Sequence, residues 1–177
     1  MKSFNIITGE KGEGKTTLML KIASEESSPA GFVSIHRGDD YFLLDLETGK
    51  ETLLMSKKDI FPDRWKGWSV NMSLFDSVYE RLSAVDSGKV FLDECGRMEI
   101  EGFGYDRTLR MLIGKKDTEV YITLRRPFID AFVSHYSIVD YTLLEVERRA
   151  EGYKLLHGIT EAAVGYCVSP LTGEKVL

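Results

Sequence analysis

The chain has little of several residue types that mark other classes of protein. Its 177 residues include only two cysteines, Cys95 and Cys167, which lie far apart and form no C-x-x-C spacing, so neither a disulfide framework nor a zinc site is expected. No apolar run approaches the ~20 residues of a membrane-spanning helix. The N-terminal segment enters a glycine-rich motif too early to hold the apolar core of a secretory signal. The net charge of -5 leaves no broad basic surface. We therefore expect a cytoplasmic protein with no membrane partner, and the charge disfavours a nucleic-acid partner without excluding one.

The remaining composition is that of an ordinary globular protein. Hydrophobic residues make up 43% of the chain and charged residues 29%, which argues against disordered, fibrous and membrane classes. The length suits one well-buried domain and is short for two. We therefore expect a single domain over residues 1–177.

A glycine-rich segment near the start fits the phosphate-binding pattern G-x-x-x-x-G-K-[ST] and follows a short apolar run typical of a strand. The predicted nucleotide-binding residues are Gly9, Glu10, Lys11, Gly12, Glu13, Gly14, Lys15, Thr16 and Thr17. The glycines let backbone amides wrap around phosphate oxygens, and the next helix adds its positive N-terminal end. Lys15 is expected to contact the β- and γ-phosphates as a catalytic charge, Thr16 to bind Mg²⁺, and Thr17 to bind the α-phosphate. The motif predicts that the chain binds a nucleoside triphosphate.

Alternating strand and helix patterns follow this motif. A strand over 31–36 and a hairpin over 41–55 predict a β insertion at about 31–56. The segment at about 57–70 has no clear periodicity and is a candidate flap, in which Trp65 and Trp68 are expected to pack in the core or flap rather than stack on a base. No role is predicted for the tail at about 147–177.

The rest of the chain completes an α/β pattern. The predicted elements are helices over 71–87 and 105–114, strands over 90–92 and 119–124, a short helix opening with Pro127, and a strand over 138–146. This alternation implies right-handed crossovers. The predicted fold is therefore an α/β, three-layer P-loop sandwich with a mostly parallel sheet and a β-hairpin insertion after the P-loop helix.

An apolar run, Val90 to Leu92, delivers two acids to the rim of the sheet where the P-loop lies. Asp93 is expected to hold Mg²⁺ directly or through its water shell. Glu94 is expected to orient a water near the γ-phosphate and to accept its proton. Together with the P-loop, the acid pair predicts hydrolysis of the triphosphate.

Hydrolysis also needs positive charge where the γ-phosphate transfers. The candidates are Arg97, shortly after the acid pair, and Arg125 and Arg126, after the strand over 119–124. We favour Arg97 and Arg125 as catalytic residues, and the alternative for each is a surface ion pair of little energetic value. Thr123 is either a sensor of the γ-phosphate or simply a good strand former.

Residues 91–99 also carry a family resemblance. The segment Phe91-Leu92-Asp93-Glu94-Cys95-Gly96-Arg97-Met98-Glu99 resembles the D-E-[aliphatic]-G-x-M-E signature of the small P-loop nucleoside-triphosphatases first known from thermophiles, whose relatives include a cancer-related vertebrate member. The order of P-loop, β insertion and following helix agrees. The resemblance implies a Mg²⁺-dependent hydrolase that releases phosphate from ATP, GTP, CTP and UTP, with Lys15, Thr16, Asp93 and Glu94 carrying the chemistry. This chain departs from the pattern in having Lys11 where proline is common and Cys95 in place of an aliphatic residue.

Two other functions remain compatible with these motifs. One is a nucleotide or small-molecule kinase, in which an acceptor hydroxyl replaces water and the segment at 57–70 closes over the substrate. The other is a nucleotide-controlled adaptor with slow turnover, which Glu94 disfavours because an adaptor needs no catalytic base.

Overall fold

The computed structural model describes residues 3–149, 152–159, 167–168 and 175–176. The remaining positions of the tail named above lie outside the described residues. The described elements are, in order, β1 (Ser3–Thr8), α1 (Lys15–Ser24), β2 (Ala30–Arg37), β3 (Asp40–Asp45), β4 (Glu51–Ser56), β5 (Asp63–Trp65), β6 (Trp68–Val70), α2 (Met72–Ser83), β7 (Gly88–Cys95), α3 (Arg97–Ile100), α4 (Asp106–Gly114), β8 (Thr118–Leu124), a 3₁₀ turn (Arg126–Phe128), α5 (Ile129–His135), β9 (Thr142–Arg149), β10 (Gly152–Ile159), β11 (Cys167–Val168) and β12 (Lys175–Val176).

Ten of the described strands form one sheet, in the order β10-β9-β1-β8-β7-β2-β3-β4-β6-β5. The five central strands, from β9 to β2, pair in parallel. The strands on either side of them pair antiparallel, and the short connections of β2 to β3, β3 to β4 and β5 to β6 can join only antiparallel neighbours. The sheet is therefore mixed, with its parallel part at the centre.

Helices cover both faces of this sheet, and strand β7 shows how. Phe91 packs on one face in a cluster with Met19 of α1 and Val33. Val90 and Leu92 point to the other face, where α2, α4 and α5 pack. All three β7 side chains are fully buried, as expected for a central parallel strand. The predicted α/β class and its three layers are confirmed. Within the described part of the chain, no helix is both long and apolar enough to cross a membrane.

The segment at 57–70 contains regular structure although its sequence shows no periodicity, and its role as a flap stays a prediction. It contains the β5–β6 hairpin, which pairs with β4 through Met55 and Val70. The buried Ser69 hydroxyl accepts hydrogen bonds from the N–H groups of Ile60 (3.1 Å) and Phe61 (2.6 Å). Three-residue strands are too short to show alternation in sequence, so the absence of periodicity was not evidence of a loop.

Three predicted boundaries also differ. Helix α2 ends at Ser83 rather than near 87, and β9 begins at Thr142 rather than at 138. Strand β2 belongs to the central parallel sheet because it pairs with β7, so the antiparallel extension begins at β3 rather than at 31. The assignment of residues 1–177 to a single domain stays a prediction.

Candidate active site

The P-loop connects β1 to α1 and is shaped by its glycines. Gly14, the residue before α1, has a φ of 99°, a left-handed conformation that is costly for residues with a Cβ. This turn directs the Lys15 side chain back across the loop, where its ammonium group donates to the backbone carbonyls of Gly9 (3.1 Å) and Glu10 (2.8 Å). Lys15 is only 8% exposed. Its charge is therefore held inside the loop, at the start of the helix.

A cavity of about 230 Å³ opens beside this loop. Its lining residues are Lys11, Gly12, Gly14, Lys15, Thr16, Thr17, Tyr41, Glu94 and Arg125. Gly9, Glu10 and Glu13 do not line it. Gly9 and Glu10 instead hold the Lys15 ammonium group, and the Glu13 carboxylate accepts a hydrogen bond from the backbone N–H of Glu10. The structure thus separates the predicted nucleotide-binding residues into a group that faces the cavity and a group that shapes the loop.

Asp93 lies fully buried at the end of β7. Its carboxylate accepts hydrogen bonds from the hydroxyls of Thr16 (2.9 Å) and Thr123 (2.6 Å) and from the backbone N–H of Ser34 (3.2 Å). Burial raises the pKa of Asp93 to about 6, while the hydrogen bonds from Thr123, Thr16 and Ser34 act to lower it. The Thr16 and Asp93 oxygens, brought together next to the P-loop, are the hard oxygen ligands that Mg²⁺ prefers.

Glu94 occupies an irregular position in the same strand. The pairing of β7 with β8 shifts register between Leu92 and Cys95, so β7 has one extra residue there. Bulges of this kind redirect side chains next to active sites. Glu94 has a φ of 58°, a conformation uncommon for a residue other than glycine, and its N–H donates to the Thr123 hydroxyl (2.8 Å). As a result Asp93 points into the protein, whereas Glu94 is exposed and lines the cavity.

The structure places the three candidate arginines differently. Arg125 follows β8 and lines the cavity beside Lys15 and Glu94. Arg97 lies outside the lining of this cavity and forms a 2.6 Å ion pair with Glu101. Arg126 forms a 2.8 Å ion pair with Glu145 and does not line the cavity either. The geometry therefore favours Arg125 as the charge that faces a bound triphosphate.

Two residues gained importance only in the structure. Tyr41 in β3 lines the cavity, although its sequence context is that of an ordinary strand residue. His36 stacks against it, with ring centroids 4.5 Å apart. Thr123 contacts both acids, whereas the sequence suggested only a sensor of the γ-phosphate or a good strand former. Its position near the end of a strand, two residues before Arg125, was the available signal.

Known proteins resemble this chain in sequence and in fold. A family model described as NTPase matches residues 5–156. The chain is 26% identical over 166 residues to the nucleoside-triphosphatase THEP1 of Methanocaldococcus jannaschii, which covers 86% of this chain and 97% of that protein. The crystal structure of THEP1 from the hyperthermophile Aquifex aeolicus shares the fold, with a TM-score of 0.62 at 23% identity over 85% of this chain and 91% of that one.

The family match spans most of the chain and includes the P-loop, both acids and Arg125. The resemblance first seen at residues 91–99 is confirmed, and so is the predicted class of enzyme, a nucleoside-triphosphate hydrolase. The chain belongs to the NTPase family.

Proposed function

We propose that this NTPase hydrolyses nucleoside triphosphates to nucleoside diphosphate and phosphate in a Mg²⁺-dependent reaction with little selectivity for the base. One observation carries the proposal. The cavity beside the P-loop is lined by a lysine, a threonine, an exposed glutamate and an arginine, which are Lys15, Thr16, Glu94 and Arg125. These are the groups that phosphoryl transfer to water requires.

The metal requirement rests on the donor set around Asp93. Thr16 and Asp93 place a hydroxyl and a carboxylate 2.9 Å apart next to the phosphate cavity, and both would hold Mg²⁺. When bound there, the ion neutralises charge on the β- and γ-phosphates. In the described part of the chain no cluster of three or more His, Cys, Asp or Glu side chains offers another metal site. A site completed by phosphate oxygens and water is typical of Mg²⁺.

Glu94 and Arg125 have different roles in the transfer of the phosphoryl group to water. Glu94 accepts a proton from water as the water oxygen attacks the γ-phosphorus, and the bond from that phosphorus to the β-phosphate oxygen breaks. Arg125 stabilises the charge that spreads over the transferring phosphoryl oxygens. The products are a nucleoside diphosphate and inorganic phosphate.

The phosphate-binding residues of the cavity support hydrolysis of nucleotides with any of the four bases. Its P-loop residues present groups that bind phosphates, which ATP, GTP, CTP and UTP all share. The family resemblance implies the same breadth. Residence in the cytoplasm stays a prediction.

Phosphate release by the purified protein tests the proposal, measured with each of the four triphosphates in Mg²⁺ and in a chelator. We expect turnover of several bases that the chelator abolishes. Glu94→Gln should keep triphosphate binding and lose about a hundredfold or more in turnover. Lys15→Ala should abolish tight binding because it removes the charge that faces the phosphates.

Glu80→Gln, at an exposed position of α2, is the matched control for loss of one carboxylate. It should behave like the unmodified protein. Normal turnover by Glu94→Gln would exclude Glu94 as the base, and turnover unaffected by the chelator would exclude the metal requirement.

A further inference from the structure

A second cavity of about 410 Å³ adjoins the phosphate cavity. The two cavities share Tyr41, Glu94 and Arg125 in their linings. Under the proposed function, Glu94 takes a proton from the attacking nucleophile and Arg125 faces the transferring phosphoryl group. The second cavity therefore lies on the side from which a nucleophile approaches the γ-phosphate.

The walls of this cavity are suited to a small organic molecule. Their apolar and aromatic members include Leu54, Met55, Trp65, Trp68, Phe75 and Phe128. Sites for small ligands are concave, mostly apolar, and fall between roughly 300 and 1,000 Å³. Water and phosphate alone need no such wall. A cavity of this volume has room for an aromatic ring with a substituent.

Tyr105 supplies an unpaired polar group in the same wall. It is 2% exposed, and its ring packs edge-on against Phe75 with centroids 5.0 Å apart. Within the described residues its phenolic oxygen has no hydrogen-bond partner. An unsatisfied buried hydroxyl costs free energy and is uncommon in native proteins. Tyr105 lines the cavity, so a polar atom of a ligand that reached this oxygen would satisfy it.

The charges around the cavity favour an uncharged ligand. Of its three basic lining residues, Lys66 and Arg97 are engaged by the Glu101 carboxylate, at 3.4 Å and 2.6 Å, and Arg125 faces the triphosphate under the proposed function. Three acids, Asp93, Glu94 and Glu99, also line it, and Glu94 is shared with the phosphate cavity. The acidic and basic lining residues therefore balance in number, and an uncharged ligand needs no unpaired countercharge from this wall.

We propose that this cavity binds a small uncharged aromatic alcohol and that the bound nucleoside triphosphate phosphorylates its hydroxyl group. The alcohol oxygen attacks the γ-phosphorus, the bond to the β-phosphate oxygen breaks, and the hydroxyl proton passes to the Glu94 carboxylate. The products are a phosphate ester and a nucleoside diphosphate. This inference rests on the proposed function of the triphosphate site, and hydrolysis is the reaction when water occupies the cavity instead.

The protein carries its own reporter for binding. Trp65 and Trp68 are its only two tryptophans, and both line the cavity. We would titrate the protein with benzyl alcohol and with 3-pyridylmethanol while recording tryptophan fluorescence. In parallel we would add ATP and Mg²⁺ and follow phosphate ester, ADP and free phosphate by ³¹P NMR. Benzyl methyl ether, which lacks the hydroxyl, is the matched control compound.

We expect a saturable fluorescence change with both alcohols. We also expect phosphate ester to form, with the amounts of ester and free phosphate adding up to the amount of ADP. The ether should change the fluorescence without forming an ester. Tyr105→Phe keeps the ring against Phe75 but removes the unpaired hydroxyl. It should weaken binding of 3-pyridylmethanol, whose ring nitrogen accepts a hydrogen bond, by about fivefold, with little effect on benzyl alcohol. Tyr79→Phe, the same change outside the cavity lining, should alter neither.

Binding of the alcohols without ester formation would overturn the acceptor role, and so would absence of both binding and ester. Faster phosphorylation of AMP, an anionic acceptor, than of either alcohol would overturn the proposal that the ligand is uncharged. Free phosphate released in the samples without alcohol reports on hydrolysis separately. Ester formation without release of free phosphate would support this inference and contradict the proposed hydrolysis. Release of free phosphate without ester formation would support the proposed hydrolysis and contradict this inference.

Discussion

The Thr123 hydroxyl donates a 2.6 Å hydrogen bond to the Asp93 carboxylate. The same oxygen accepts a 2.8 Å hydrogen bond from the backbone N–H of Glu94. A single side chain of β8 therefore orients the two acids at the bulge of β7. This arrangement allows one acid to stay buried beside Thr16 while the other reaches the cavity.

Replacement of this hydroxyl tests its importance. Thr123→Val preserves the size and the strand preference of the side chain, but it leaves the Glu94 N–H unpaired and removes a donor from Asp93. We expect a loss of about 1–3 kcal/mol in the free energy of unfolding and a fall in turnover of about tenfold or more. Urea unfolding and phosphate release measure the two effects. Thr123→Ser keeps the hydroxyl and should restore most of both. Unchanged stability and turnover in Thr123→Val would show that the hydroxyl positions neither acid.

The arginines are expected to differ in their effect on catalysis. Arg125→Ala removes the guanidinium that lines the phosphate cavity, so we expect turnover to fall by about a hundredfold or more. Arg97→Ala removes an exposed side chain paired with Glu101 and should change hydrolysis far less. Steady-state kinetics with ATP and Mg²⁺ compare the two variants. A larger defect in Arg97→Ala would reverse the assignment.

Glu99 predicts a pH dependence of stability. Its carboxylate is buried and accepts hydrogen bonds from the N–H groups of Gly96 (2.7 Å) and Tyr105 (3.2 Å). Burial raises its pKa from 4.5 to about 7. The folded protein therefore holds this proton more tightly than the unfolded chain does. The stabilisation is complete below about pH 4.5 and is lost as the pH rises to about 7.

The expected slope is at most about 1.4 kcal/mol per pH unit from this one group. Urea unfolding at steps across the window measures it. Glu99→Gln should reduce the slope of the free energy of unfolding against pH in this window. Glu80→Gln, at an exposed position, should leave that slope unchanged. The glutamine amide replaces one of the two acceptor oxygens with an NH₂ group, which changes the absolute stability of the variant. The comparison therefore uses the slopes and not the absolute free energies of unfolding. An unchanged slope in Glu99→Gln would assign the dependence to other groups.

The backbone of Gly31 packs so closely against a neighbouring strand that we expect no side chain to be tolerated there. Its φ is 146°, and a Cβ there would lie 2.2 Å from the backbone oxygen of Phe91 in the neighbouring strand β7. We expect Gly31→Ala to lower the free energy of unfolding by about 3 kcal/mol or more, or to prevent folding. Gly49→Ala is the matched control, since Gly49 has a φ of 70° with open space around it. It should cost only about 1 kcal/mol. Equal losses in the two variants would show that close packing against β7 is not the cause.

The P-loop and the acid pair were predictable because their chemistry is contained in contiguous residues. Glycine spacing, Lys15 and Thr16 follow one strand and open one helix, so local geometry suffices to place them. Asp93 and Glu94 end a buried apolar strand, whose carboxyl end faces the same rim. The β5–β6 hairpin was missed because its strands are too short to show a period. Which arginine faces the cavity was also beyond sequence reasoning, since Arg97 and Arg125 both follow strands at that rim.

The sequence by itself determined the central strands, the phosphate-binding loop, the acids and the family, because each depends on residues that are neighbours along the chain. Only the tertiary structure decided that Tyr41, Glu94 and Arg125 meet between two cavities. Their strands, β3, β7 and β8, are brought together by the order of the sheet. That order is set by packing and pairing between distant segments, and no local pattern specifies it.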